Sequence, residues 1–415
     1  MMEQSELQVG VFHPGTQHSW QTARALQDND DLAWYATSIF WAKDRLPYSL
    51  VPFLPRFMYR RVTAELRRFY HPGLDLGRVE TFAGLEWAMR IAARLRIRRF
   101  ARRLQRSSNT AFAAPVSRLI KQKPVRAVWG YDQSSLEVFG LARELGIKTI
   151  LDRTIGHPAV YNRILDEIHE QYPEFFDSAS DKISQEAIDR SDQEHQLADT
   201  ILVGSSFCAE TLLDPSVSAV QPAKVKVVPY CYDEVFFPPA EPRARPKGPI
   251  RFLFTGLAGP RKGIHLILKV FQSIPPTAAT LTIVGDLQIP SKTFAKYADR
   301  VELRQTVARP DVARIMADSD CLLFPTYFEG AGIVLYEALA SGLSIIQSKH
   351  ADVVLPPDSE LLMKDVTEDE LRRCVMSAIE NPRLLEQQSL AGLTKAQMFS
   401  YSAYRTRVLE VARSV

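Results

Sequence analysis

Residues 320–346 read Asp-Cys-Leu-Leu-Phe-Pro-Thr-Tyr-Phe-Glu-Gly-Ala-Gly-Ile-Val-Leu-Tyr-Glu-Ala-Leu-Ala-Ser-Gly-Leu-Ser-Ile-Ile, and no other stretch restricts the fold as tightly. The apolar run Cys321 to Phe324 has the length of a buried strand. Pro325 ends it, because proline cannot continue a central ladder. A turn follows, holding Glu329 and glycines at 330 and 332. From about Ala331 the apolar residues recur at helical spacing, at Ile333, Leu335, Tyr336, Leu339 and Ala340, until Gly342 closes the helix. Leu343 to Ile346 reads as the next buried strand. Strand, glycine-rich turn, helix and strand together form one unit of a parallel α/β sheet.

The chemistry of that unit lies in its turn. Gly330 and Gly332 let the backbone approach a ligand closely. The N–H groups of Gly330, Ala331, Gly332 and Ile333 stand at a helix N-terminus, which favours an anion such as phosphate. Glu329 lies at the carboxyl end of the strand, where open α/β sheets bind ligands. Glu337 is about two turns into the helix, within reach of the ribose of a nucleotide whose phosphates sit at the helix start. A second turn of the same kind is Phe254-Thr-Gly-Leu-Ala-Gly-Pro-Arg-Lys-Gly263, again after a strand and before a helix. Gly256, Gly259 and Gly263 permit a tight backbone there, and Arg261 and Lys262 fall where a diphosphate would lie. Taken singly, each turn also fits an ordinary helix start with charged surface residues.

Taken together, the residues resemble a family. Glu329-x7-Glu337 within PTYFEGAGIVLYEALASGLSII is similar to the signature of retaining glycosyltransferases of family 4. That resemblance implies the GT-B fold, α/β, with two Rossmann-like doubly wound domains facing a central cleft. It implies a nucleotide-diphosphate sugar as donor substrate, a glycan or lipid-linked acceptor, and no cofactor or metal. Its catalytic set would be His157, Glu329, Lys262 and Arg261. Gly15, Gly256, Gly259, Gly330, Ala331, Gly332, Ile333 and Glu337 would bind the donor. His157 ends the strand-like run Lys148–Leu151 and its turn, and also fits a loop histidine held by Asp152. The implied division is an acceptor-side domain at 1–230 with a basic helical insertion, a donor domain at 231–395, and a terminal helix at 396–415 that packs back on the first domain. Three departures stand out. Leu257 replaces an arginine usual in the family, Ala331 replaces a frequent aromatic, and Tyr230-Cys231-Tyr232 replaces asparagine-glycine-valine at the crossover, although Asp233, Phe236 and Pro238 keep its frame. Leu257 leaves open a non-catalytic nucleotide-sugar-binding scaffold of the same fold, and a sugar-nucleotide epimerase or a phosphorylase is a further alternative.

Composition bounds the remaining classes. At 415 residues there is room for two domains, and 46% hydrophobic with 24% charged residues is a globular balance. No uninterrupted apolar run approaches the ~18 residues of a membrane span. The N-terminus lacks a signal-peptide pattern, and the four cysteines are scattered, so a reducing cytoplasm is the expected location. Asp28-Asn-Asp30 and Asp318-Ser-Asp320 spell D-x-D, but both fall between a helix and a strand and read as turns rather than metal ligands. The net charge of +3 conceals an asymmetry: residues 40–130 carry twenty Lys/Arg against five Asp/Glu, and 131–200 carry six against fifteen. Val79 to Arg106 reads as a long arginine-rich helix behind a proline–aromatic segment at 46–59. Its basic face fits an anionic membrane surface, or neutralisation by the acidic stretch. Nucleic acid is not expected, since no aromatic-interleaved platform accompanies the arginines.

Overall fold

The computed structural model describes residues 8–15, 18–46, 48–66, 69–82, 111–177, 182–242, 248–305 and 307–415. Two wholly parallel sheets organise them. The first has strands β1 (Val9–His13), β2 (Leu32–Thr37), β3 (Val79–Thr81), β4 (Ala127–Tyr131), β5 (Lys148–Arg153), β6 (Thr200–Val203) and β7 (Val225–Val227) in the order β3-β2-β1-β4-β5-β6-β7. The second has β8 (Ile250–Thr255), β9 (Ala279–Val284), β10 (Glu302–Arg304), β11 (Cys321–Phe324) and β12 (Ser344–Gln347) in the order β10-β9-β8-β11-β12. In each the order reverses once, between β1 and β4 and between β8 and β11. The loops that leave such a reversal diverge to opposite faces and open a crevice at the carboxyl edge.

The sequence explains the second sheet directly. β11 is apolar at every position because parallel strands with helices on both faces are buried on both sides. Helix Ile264–Gln272 buries Ile264, His265, Leu266, Ile267, Leu268, Val270 and Phe271 beneath that sheet. Helix Ile333–Ala340 buries every residue from Leu335 to Ala340, including Glu337.

One expected element is corrected. Val79–Thr81 is an edge strand paired with Tyr35–Thr37, not the start of a helix. β-branched Val79 fits that pleated edge, and residues 83–110, which hold the arginines from Arg90 to Arg106, lie outside the described residues. The proline–aromatic segment breaks as its prolines require, into a 3₁₀ turn at Tyr48–Phe53 and a helix at Arg56–Leu66. Helix Pro382–Ala396, which the sequence reading passed over, covers β12.

The terminal helix Tyr401–Arg413 returns across the second domain to the first. Thr22 Oγ1 sits 2.8 Å from the Tyr404 hydroxyl and 2.7 Å from that of Tyr131. The Tyr401 hydroxyl donates to Asp28 at 2.8 Å, and the Arg24 guanidinium stacks 4.4 Å over the Tyr401 ring.

Candidate active site

The crevice of the second sheet is built from the two loops that leave β8 and β11. After Thr255 the chain turns through Gly256 at φ 133° and Gly263 at φ 71°, conformations that residues with a Cβ rarely adopt. A Cβ at Gly263 would stand 2.1 Å from the Pro325 carbonyl oxygen. That approach pins the first loop to the end of β11, where the Tyr327 N–H donates to the Arg261 carbonyl at 2.9 Å. Lys262 and Arg261 therefore project beside Glu329.

Glu329 Oε2 lies 2.5 Å from Lys262 Nζ and 3.2 Å from Arg261 Nη1. The Gly330 N–H donates to its other oxygen at 3.2 Å, and Arg261 also donates to the Phe328 carbonyl. Burial pushes this carboxyl upward, but Lys262 and then Arg261 outweigh it and bring Glu329 down to about 2. The cluster thus holds two cations on one permanently ionised carboxylate, with a charge of about +1 at the mouth of the crevice. Leu257, in place of the expected arginine, is an exposed residue of the same loop.

Helix Ile333–Ala340 starts from Gly332 at φ 76°, so its first N–H groups open toward the same crevice. Glu337 is buried within that helix. Arg309, the first residue of helix Arg309–Ala317 beyond β10, brings Nη2 to 2.7 Å from Glu337 Oε1. The approach lies off the hydrogen-bond axis, and Oε1 has no aligned donor. Burial raises the Glu337 carboxyl above its ordinary value, and Arg309 opposes that rise. The Arg309 guanidinium also sits 5.0 Å over the ring of Phe237, which belongs to the crossover.

The first domain meets this loop at its own carboxyl edge. A Cβ on Gly330 would fall 2.1 Å from the Thr154 carbonyl oxygen. Ser205 Oγ donates to the Gly330 carbonyl at 2.8 Å, and Cys208 Sγ lies 3.3 Å from the Glu329 carbonyl. Two of the family departures prove to be neighbours. A Cβ on Gly204 would meet Ala331 Cβ at 2.7 Å and the Tyr230 ring at 3.0 Å, so both departures stand against the same glycine. Tyr230 in turn donates to Asp152 at 2.6 Å and stacks on His18 at 4.4 Å. Burial pushes Asp152 up to about 7.

His157 is engaged by groups of its own domain. It is fully buried, its Nδ1 accepts the Ala159 N–H at 3.2 Å as a helix cap, and Nε2 sits 2.9 Å from Asp192. Its carboxylate partner is Asp192, not Asp152, and neither ring nitrogen is left for a sugar. His157, Asp192 and His195 form the one His/carboxylate cluster of metal-ligand size among the described residues. A metal on His157 Nε2 would require the proton on Nδ1 and so would break the cap to Ala159. On the first-sheet edge, Gly15 donates its N–H to His13 Nδ1 at 3.0 Å, and burial lowers both His13 and His18 to about 4. Gly259 precedes the 3₁₀ turn Pro260–Lys262, at the side of the crevice.

Arg309 and Tyr230 were missed. Arg309 carried a signal: it heads a helix directly after a predicted strand of the second sheet, the same ligand-edge placement that singled out Arg261 and Lys262. Tyr230 carried none, because its contacts come from Asp152 of β5, His18 ahead of a helix and Gly204 beyond β6, all distant in sequence.

Comparison with known proteins places this geometry. Residues 249–381 match the family described as Glycosyl transferases group 1. MMP alpha-(1->4)-mannosyltransferase of Mycolicibacterium hassiacum is 24% identical over 232 residues, covering 52% of this chain and 54% of that protein. Lipopolysaccharide glucosyltransferase WaaG of Escherichia coli K12 is 37% identical over 92 residues, 21% of this chain and 24% of that protein. The chain thus spans about half the length of the first relative and about a quarter of the second. Sucrose-phosphate synthase from Thermosynechococcus elongatus superposes with a TM-score of 0.68 at 16% identity, over 98% of both chains. Anabaena Alr3699/HepE in complex with UDP-glucose superposes at 0.61 and 12% identity, over 98% of this chain and 100% of that one. At such identities the likeness is one of fold.

Proposed function

We propose that this chain, GT-B in fold and with a second domain matching the group 1 glycosyl transferases, moves a sugar from a nucleotide-diphosphate donor to a glycan or lipid-linked acceptor with retention of anomeric configuration. The observation that carries this reading is the convergence of Arg261, Lys262 and Glu329 at the switch point of the second sheet, beside a helix start. Glycosyl transfer develops positive charge on the sugar and negative charge on the departing diphosphate. Arg261, Lys262 and the amides near Ile333 would stabilise that leaving group without a metal. Glu329, already ionised against two cations, is too weak a base to take the acceptor proton. It would orient Arg261 and Lys262 instead, and the departing phosphate oxygen would accept the proton on the face that the acceptor approaches. Glu337 would hold the ribose. The UDP-glucose named for the Anabaena protein makes a uridine donor a sensible first probe.

A thermal-shift screen of nucleotide sugars tests the reading first, since a ligand of the native state raises stability by RT ln(1 + [L]/Kd). One donor should stand out, and turnover with it should persist in a chelator and give a product of unchanged anomeric configuration. A flat panel would remove the donor site, and inversion would remove the front-face mechanism.

The acceptor side is proposed to lie at an anionic membrane surface. No helix among the described residues is long and apolar enough to cross a membrane. The segment after β2 leaves the ligand edge of the first sheet and exposes Leu46 (75%), Phe53 (85%) and Phe57 (69%) beside exposed Arg56 and Arg60. Exposed aromatics beside arginines suit a headgroup layer. The acidic stretch pairs with its own basic residues, as in Arg190–Glu137 and Lys182–Asp166. Sedimentation with anionic vesicles at low salt, lost at high salt and absent with neutral vesicles, is the expected result. Failure to sediment would leave the exposed segment without this role.

A further inference from the structure

We propose that Arg309 is a positioning residue for the donor: it holds the Glu337 carboxylate in the orientation that accepts the ribose hydroxyls. The proposal rests on the reading of Glu337 as the ribose contact and adds a residue that the reading does not contain. Four features carry it. Arg309 begins the helix that follows β10, at the carboxyl edge of the second sheet. Its guanidinium is the cation at Glu337, with Nη2 2.7 Å from Oε1. The Glu337 side chain is 4% exposed while that of Arg309 is 48% exposed, so the pair runs from the helix interior out to solvent. The Phe237 ring, 5.0 Å beneath the guanidinium, supports the arginine from the crossover side.

The physical argument concerns what a buried carboxylate requires. Glu337 has no basic neighbour on its own helix, Ile333-Val-Leu-Tyr-Glu-Ala-Leu-Ala340. A carboxylate so enclosed takes up a proton unless a cation stands by. A protonated carboxyl would donate one hydrogen bond and lose much of its strength as an acceptor for two ribose hydroxyls. Arg309 supplies the charge from the solvent side. By standing at Oε1, it fixes one end of the carboxylate. The helix Arg309–Ala317 is held by its own packing, with Ile315 and Met316 buried, so the arginine is presented by a rigid element. Nothing on the helix of Glu337 could substitute for it.

Discrimination between ribose and deoxyribose tests the proposal. Binding of UDP, GDP and ADP and of their 2′-deoxy and 3′-deoxy counterparts is measured by calorimetry on the full chain. The wild type, Glu337→Gln and Arg309→Gln are compared, using whichever base the wild type binds most tightly. Each protein is judged by its own ratio of ribose to deoxyribose affinity, so a variant of lower stability still reports. The wild type should lose about tenfold or more for at least one deoxy form, the size of a hydrogen bond to a charged group. In both variants that ratio should fall toward one. If the wild type fails to discriminate, or Glu337→Gln keeps the discrimination, the ribose reading of Glu337 falls and the proposal with it. If Glu337→Gln loses discrimination but Arg309→Gln keeps it, the ribose reading stands and the proposal alone is overturned. An Arg309→Gln protein that binds the ribonucleotide more tightly and discriminates more sharply would make Arg309 a competitor for Glu337, and would also overturn it.

Discussion

Replacing Glu329 by glutamine should destabilise the protein in a pH-dependent way that the cluster geometry sets. The wild-type carboxyl stands at about 2 in the fold against an ordinary value of 4.5. That difference corresponds to about 3 kcal/mol of preference for the ionised form. Lys262 and Arg261 are only 14% and 20% exposed, so little solvent screens the loss. The sign follows from linkage. A depressed carboxyl contributes stability that is fully present above 4.5 and is lost as pH falls toward 2. Glu329→Gln should therefore cost about 2–4 kcal/mol at pH 7, because two largely buried cations lose their partner. The penalty should shrink through pH 4 and 3, where the unfolded wild-type chain takes up a proton that its folded carboxylate still lacks. Urea unfolding of both proteins at pH 7, 5, 4 and 3 measures it. Saturating nucleoside diphosphate should narrow the gap at pH 7, since the phosphates restore negative charge between Arg261 and Lys262. Equal stability at pH 7, or a penalty that does not change with pH, would refute the electrostatic account of this cluster.

Three further outcomes follow from the same structure. His157→Asn should keep the helix cap and retain turnover within about threefold, whereas His157→Ala should lose about 1 kcal/mol of stability by denaturant titration; a folded His157→Asn with turnover down a hundredfold would return this residue to the chemistry. Asp152 is raised from 3.8 to about 7 in the fold, so it contributes stability that declines as pH rises from 4 to 7. Asp152→Asn should remove up to about 1.4 kcal/mol per pH unit from that slope, leaving the like-signed share of Glu194, which is also raised to about 7. Gly330→Ala would drive a Cβ to 2.1 Å from the Thr154 carbonyl, and it should lower both the melting temperature and the turnover by displacing the Glu329 loop from the first domain; wild-type values for both would show that this contact is dispensable.

Much of the second domain was legible because its signals are local. Strand runs such as Cys321 to Phe324, helix spacing after Gly332 and glycines at tight turns are written within windows of about ten residues, and the parallel sheet follows from their alternation. The placement of Arg261, Lys262 and Glu329 at one sheet edge followed from the same windows, because strand ends of an open α/β sheet share an edge. What the windows left out is long-range. The residues from Val79 to Thr81 pair as a strand because Tyr35 to Thr37 offers an open edge, and a three-residue stretch carries no period to announce that. His157 has the residue type of a catalyst, yet Asp192, thirty-five positions away, and the Ala159 N–H take both its nitrogens. Arg309 meets Glu337 only because two separate helices bring them together, and Tyr230 meets Asp152 only because the crossover passes the end of β5. Local sequence set the elements, the edge and the anion-binding turns. The tertiary structure decided which charges face one another there, because a carboxylate buried in a helix takes its partner from whichever element packs across it.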